Sequence, residues 1–274
     1  MKSFLSLIIA ALVLSLPVAA EPLIIKVRTQ GMEKKPAQEH PVAAASMAPC
    51  QSAAPIVIHV TRRMPVLPAK ESSNPLYANL SRFIKIHGQI PTLYHTVEER
   101  HFDDYRIQEI VDKQNRTISV CKDNFYRALC RQGSGILEDG RAVSIVGKNQ
   151  FHVLPKNCLG ITSSGNPVIP FHTLAVDPEK MPLGSVYYIP RTRGLKLPDG
   201  STHDGFWFAH DTGAAFRGSG QCRIDLYVGN SEGINFMGKH GIRSFRVLQV
   251  YKVDDSTRRL IYDKYRVALS KVRK

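Results

Sequence analysis

The chain has 274 residues, a formal net charge of +14 and ordinary apolar content, 43%. That length holds one or two domains, and past the first twenty residues no stretch is long and apolar enough to span a bilayer. The positive charge suits a polyanionic surface such as a wall polymer, lipid headgroups or nucleic acid, but no basic helix with interleaved aromatic residues selects nucleic acid.

In chain order, the first segment is MKSFLSLIIAALVLSLPVAA, with Lys2, an apolar run from Phe4 to Leu16, and Val18-Ala19-Ala20. This pattern predicts a secretory signal peptide over 1–20, cleaved after Ala20 and leaving no membrane span, and so a periplasmic, secreted or wall-associated protein. Residues 21–75 carry eight of the seventeen prolines and read as a largely disordered linker with one strand-like piece, PIVIHV (55–60). Residues 76–120 read as a lead-in segment that packs on the domain following it.

From Leu93 to Val253 the pattern is mainly β: short apolar, β-branched and aromatic runs separated by Gly, Pro, Asn and Asp. The predicted strands include TISVC (117–121), AVSIVG (142–147), VYYIP (186–190), GFWFAH (205–210), RIDLYVG (223–229) and SFRVLQVYKV (244–253). Such strands favour a barrel or sandwich over a βαβ sheet. DNFYRALC (123–130) predicts one or two helical turns, and the basic tail 256–274 reads as a helix or as a last strand and tail. Trp207 alternates with Phe206 and Phe208 and is expected in the core. In an oxidising compartment Cys121, Cys130, Cys158 and Cys222 suggest disulfides, in any of three connectivities, with Cys50 left over in the linker. No CxxC or His-Cys cluster suggests a metal site.

Three aspartates carry the chemistry: Asp177 in HTLAVDPEKMPLGSVYYIP, Asp211 in FWFAHDTGAAF and Asp225 in RIDLYVG. These blocks resemble, in the same order, those of the 3D (Asp-Asp-Asp) domain, the catalytic C-terminal part of the membrane-bound lytic transglycosylase A family. Upstream, RALCRQGSGILEDGR (127–141) resembles the glycine-serine segment that opens that catalytic region.

The resemblance spans roughly residues 120–255 and implies a mainly β fold, a six-stranded double-psi β-barrel over 121–255. It implies cleavage of peptidoglycan glycan strands between N-acetylmuramic acid and N-acetylglucosamine, ending in a 1,6-anhydro ring, with no cofactor and no metal. Because the sugar's own C6 hydroxyl attacks, one carboxylic acid suffices, provided its pKa is raised by apolar surroundings or a like charge. Asp225, between Ile224 and Leu226, is the expected acid/base. Asp211, beside Thr-Gly, is expected to orient and tune it, and Asp177 to cap a turn. Gln132, Ser134, His172, Thr173 and Thr212 are the expected polar contacts to the glycan, with Gly133, Gly135 and Gly213 allowing close approach of backbone to sugar.

Two departures stand out. Asp211 and Asp225 are 14 positions apart, and no large inserted domain of the family's kind supplies the far wall of the groove. A one-walled groove in a monomer is therefore expected. The rival reading is a non-catalytic wall-binding module on the same fold. A zinc peptidase using Ser201, His203 and Asp211 lacks the Glu…Trp-His block it needs, and an aspartic protease would need a second Asp-Thr-Gly loop.

Overall fold

The computed structural model describes residues 74–213, 216, 223–243 and 246–270. The expected signal peptide, the linker with PIVIHV, Cys50 and Cys222 lie outside the described residues. Among those described, no helix is long and apolar enough to cross a membrane.

Among the described residues, twelve strands and three α-helices follow one another: β1 (Ile84–Tyr94), β2 (Val97–Glu98), β3 (Arg106–Val111), β4 (Thr117–Lys122), α1 (Asp123–Gln132), β5 (Ser134–Ile136), β6 (Ala142–Gly147), β7 (Gln150–Val153), β8 (Thr173–Val176), β9 (Val186–Tyr188), β10 (Phe206–Thr212), β11 (Arg223–Tyr227), α2 (Ser231–Lys239), β12 (Leu248–Lys252) and α3 (Asp255–Leu269). The strands form two sheets. A closed six-stranded barrel runs in the order β1-β11-β8-β10-β9-β12, and a second six-stranded sheet runs β2-β5-β6-β7-β3-β4.

The second sheet departs from the sequence expectation in two ways. The barrel does not occupy 121–255 as one run, because its first strand is β1 and residues 97–153 form the other sheet. That sheet is inserted between the first and second barrel strands in the chain. The reason is pairing: β1 finds its neighbours in β11 and β12, more than a hundred residues downstream, which local pattern does not reveal.

Alternation along the strands sorts side chains between the two faces of the barrel. Leu174, Val176, Trp207, Ala209, Ile224, Leu226 and Val250 fill the interior. Trp207 is fully buried there, and its indole N–H donates to Thr192 Oγ1 at 3.0 Å, so it is core as expected. On one outer side, Val186, Tyr188, Phe206, Phe208 and Tyr251 are covered by α3 through Ile261. This decides the tail: Asp254 caps a helix, accepting from the Ser256 and Thr257 N–H groups, and the segment is not a strand. The second sheet has its own core, in which Phe125 and Leu129 of α1 pack on Val97, Ile110, Val143 and Phe151. Cys121 and Cys130 lie in that cluster as free thiols, against the disulfide expectation. Burial raises the Cys121 thiol to about 12, which opposes formation of the thiolate that oxidation requires. The Cys158 thiol donates to the Gly160 carbonyl at 3.4 Å.

Candidate active site

Four neighbouring strands bring the carboxylates together. In parallel register β1 sets Thr92 beside Asp225 of β11; in antiparallel register β11 sets Asp225 beside Ala175 of β8; and β8 sets Ala175 beside Asp211 of β10. Thr92, Asp225, Ala175 and Asp211 thus form one row across the outer face. The two aspartates stand two strands apart, about 10 Å between backbones. Ala175 between them projects only a methyl group and leaves the floor open.

Asp211 reaches this face through an irregularity. Trp207 and Ala209 point inward, so simple alternation would send residue 211 inward too. The β10–β8 register shifts between Ala209 and Asp211, where one extra residue opposes β8, and Asp211 emerges beside Ala175 on the outside. There its Oδ1 accepts from the N–H groups of Ser163 and Thr212, each at 2.9 Å, and its Oδ2 accepts from the Tyr94 hydroxyl at 3.1 Å. Three converging donors match a carboxylate, which only accepts.

Asp225 is in the opposite situation. It is half-buried, and its Oδ1 is buried with no hydrogen-bond partner among the described residues. Burial pushes its pKa up to about 7; the Thr92 hydroxyl and Arg223 oppose the shift, and the charge of Asp211 adds to it. A carboxyl held there is an acid near neutral pH and, once its proton is given away, a base.

Both groups face a groove of about 660 Å³ that has two walls, not one. The barrel supplies Tyr94, Ala175, Asp211, Thr212, Gly213 and Asp225. The inserted sheet supplies the facing wall, with Lys113, Arg131, Gln132, Gly133, Ser134 and the end of β6 among its residues, and the connecting loop 161–168 closes one side. The expectation of a one-walled groove is corrected accordingly. Hydrogen bonds tie the walls together: Thr96 Oγ1 meets Ser134 Oγ at 3.1 Å and Tyr227 Oη at 2.6 Å, and Gln132 Oε1 accepts from the His95 N–H at 3.0 Å.

Of the residues expected to meet the glycan, Gln132, Gly133, Ser134, Thr212 and Gly213 line the groove with the two aspartates. Gly133 also ends α1, at a φ of 84° that favours glycine. Gly135, His172 and Thr173 are not among the groove-lining residues. Gly135 lies under the Phe125 ring, where a Cβ would come within 2.9 Å, so the missing side chain serves core packing. Thr173 is buried, with its Oγ1 accepting from the Ile169 N–H at 2.7 Å. Asp177 also lies away from the groove lining. It is buried beyond β8, where its carboxylate accepts from the Glu179 N–H at 3.2 Å and its carbonyl from the Lys180 and Met181 N–H groups, the geometry of a turn cap.

His172 belongs to a second, closed cluster with His203 and Asp204 beneath α3. His172 Nδ1 contacts the Phe206 carbonyl at 2.9 Å and Nε2 the Tyr265 hydroxyl at 3.1 Å. His203 Nε2 contacts the Phe171 carbonyl at 2.6 Å, and its Nδ1 accepts from the Gly205 N–H at 2.8 Å. Asp204 takes the Lys264 ammonium at 2.7 Å and the Tyr265 hydroxyl at 3.0 Å on Oδ2, and the Phe206 N–H at 3.0 Å on Oδ1. Every ligand atom a metal would need is already engaged, with a lysine in the cation's place. The zinc-peptidase set falls apart as well, because His203 is in this cluster and Asp211 is in the groove.

Thr92, Tyr94 and Ser163 were not singled out from the sequence. The alternation of Thr92 and Tyr94 in β1 was the available signal, but β1 has to be known as the neighbour of β11 before it means anything.

Residues 172–247 match the sequence model of the 3D domain, and the chain therefore contains a 3D domain. Among solved structures, it is similar to Escherichia coli MltA with bound chitohexaose, at 15% identity and a TM-score of 0.44 over 67% of this chain and 85% of that one. It is also similar to a membrane-bound lytic murein transglycosylase from Agrobacterium tumefaciens, at 14% identity and a TM-score of 0.40 over 66% and 77%. A third similar structure is the lytic transglycosylase LtgG of Burkholderia pseudomallei, at 15% identity and a TM-score of 0.32 over 61% and 72%. None of the curated proteins matches the chain.

Proposed function

We propose that the chain is a peptidoglycan lytic transglycosylase with Asp225 as its single acid/base. The observation that carries the reading is the half-buried Asp225 carboxyl, facing a two-walled groove with one oxygen unpartnered and its pKa near 7. The 3D-domain match over 172–247 supports it independently.

In this mechanism the glycan lies along the groove with the oxygen linking N-acetylmuramic acid to N-acetylglucosamine against Asp225. The protonated carboxyl gives its proton to that oxygen as the bond to C1 breaks. The carboxylate left behind takes the proton of the muramyl C6 hydroxyl while that oxygen bonds to C1, closing the 1,6-anhydro ring and restoring the acid. Asp211, fixed by Ser163, Thr212 and Tyr94, keeps a negative charge near the positive charge that develops at C1 and helps hold Asp225 protonated. Both walls come from one chain, so the site is complete in a monomer. The two parallel pairings in the barrel, β1 with β11 and β8 with β10, agree with a double-psi winding. A secretory signal over 1–20 would deliver the enzyme to its polymer.

The test is mass spectrometry of purified peptidoglycan incubated with the chain lacking residues 1–20, wild type beside Asp225→Asn. Anhydro-muropeptides from the wild type alone are expected. Reducing-end products would replace the mechanism with hydrolysis by water and make Asp211 a second catalytic carboxylate. Retention on the glycan with no product would leave a binding module.

A further inference from the structure

Among the described residues that line the groove, the charged side chains of the two walls are of opposite sign, with Arg223 of β11 acting on Asp225 from outside that lining. On the barrel wall the charged side chains are Asp211 and Asp225; on the wall of the inserted sheet they are Lys113, in the β3–β4 turn, and Arg131, in the last turn of α1. Most cations of that sheet are neutralised locally. Arg100 pairs with Glu98, Arg106 and Lys122 with Glu138, Arg116 with Asp112, Arg127 with Asp123 and Arg141 with Asp139. Lys113 and Arg131 are exposed and have no ion pair or side-chain hydrogen bond among the described residues. The α1 dipole favours an arginine near the helix end, but it does not account for a second unpaired cation brought to the same groove by a separate turn.

We propose that Lys113 and Arg131 recognise carboxylates carried by substituents along the glycan, making the groove selective for acidic over neutral strands. The inference rests on the lytic transglycosylase reading. A glycan whose linking oxygen lies against Asp225 must turn some substituents toward the facing wall. A guanidinium and an ammonium there supply the paired donors and the point charge that carboxylates bind. Two sources share this chemistry: the carboxyl groups of the peptides attached to muramic acid, and the lactyl carboxyl exposed when those peptides are removed.

The experiment compares three substrates: peptide-bearing glycan, the same glycan stripped of peptides by an amidase, and chitohexaose, which has no carboxylate. Binding and cleavage are measured for the wild type, for Lys113→Gln/Arg131→Gln and for Lys113→Glu/Arg131→Glu. Lys156→Gln removes a lysine that lies away from this groove and has no ion pair among the described residues, and controls for net charge. Removing two charged contacts should weaken binding of the acidic glycans by about tenfold or more, in KM rather than kcat, and charge reversal should weaken it further. The loss should shrink as salt rises, while chitohexaose binding changes less than about twofold. Loss on peptide-bearing glycan alone assigns the site to peptide carboxylates; loss on stripped glycan assigns it to the lactyl group. Equal loss on all three substrates, or none, overturns the proposal and leaves the function reading standing. Failure of the wild type to bind any of the three overturns both.

Discussion

Two clusters in this molecule are each built around a buried or half-buried aspartate and treat it in opposite ways. Under α3, Asp204 is almost wholly buried, yet Lys264, Tyr265 and the Phe206 N–H saturate it. Burial acts to raise its pKa, but His172 and Lys264 outweigh it and hold the carboxyl below its ordinary value. In the groove, Asp225 is less buried and has far fewer partners, and burial prevails. Depth of burial therefore does not decide by itself how tightly a carboxyl holds its proton. The number of donors the fold supplies does, because an unpaired carboxylate in apolar surroundings lowers its free energy by keeping its proton.

The largest expected effect breaks the half of the pair proposed to react. Asp225→Asn should lower glycan cleavage by about a thousandfold, the scale of a lost general acid, while retaining glycan binding; loss of binding together with cleavage would show that the carboxyl only positions the glycan. On the structural half, Asp204→Ala takes the acceptor away from the Phe206 N–H and the Tyr265 hydroxyl, while the exposed Lys264 ammonium turns to water, and should cost about 1–3 kcal/mol in urea unfolding, with cleavage per folded molecule preserved. An Asp204→Ala protein that is stable but inactive would erase the distinction between the clusters.

Their pH responses should also diverge. Asp225 keeps its proton in the folded chain between its ordinary pKa of 3.8 and about 7, where the unfolded chain has released it. Stability from this group is therefore highest below that window and falls as pH rises through it. Removing the ionisable group with Asp225→Asn should raise stability at pH 8 by about 2 kcal/mol, read by thermal or urea unfolding, and leave it unchanged at pH 4. Cleavage should fall about tenfold per unit above pH 7 as the acid form disappears. His203 and His210, held by burial to about 3 and about 4, slope the other way: their neutral forms stabilise fully above the ordinary histidine value, and that contribution is lost as pH falls through 6.5 toward those values. The difference between wild type and Asp225→Asn isolates the aspartate from them. The smallest effect sharpens the role of Asp211. Tyr94→Phe removes one of its three donors and should cost about 1 kcal/mol, seen as a several-fold lower kcat and a displaced alkaline limb of the pH profile; an unchanged profile would leave the tyrosine a packing residue.

Much of the groove was legible because short segments carry it. The apolar neighbours of Asp225 advertise a strand that must bury one side and strain the carboxyl on the other. The block around 127–141 brought Gln132, Gly133 and Ser134 into view, and the alternation around Trp207 marked it as core. The failures share a physical origin. His172 and Thr173 sit in a promising block, yet they lie outside the groove lining and are held by partners in α3, in the segment ahead of β10 and at Ile169. Gly135 resembled a place for a sugar and is a place for the Phe125 ring.

By itself the sequence pointed to β4, β6, β9, β10, β11 and β12 as strands and to Trp207 as core, since these depend on neighbours within a few residues. Tertiary structure alone decided three things. It closed the barrel through β1, it turned Asp211 outward with one extra residue in β10, and it raised the inserted sheet as the facing wall. Each depends on the register between strands far apart in the chain, and register is set by which faces can be buried together, a property that no local pattern contains.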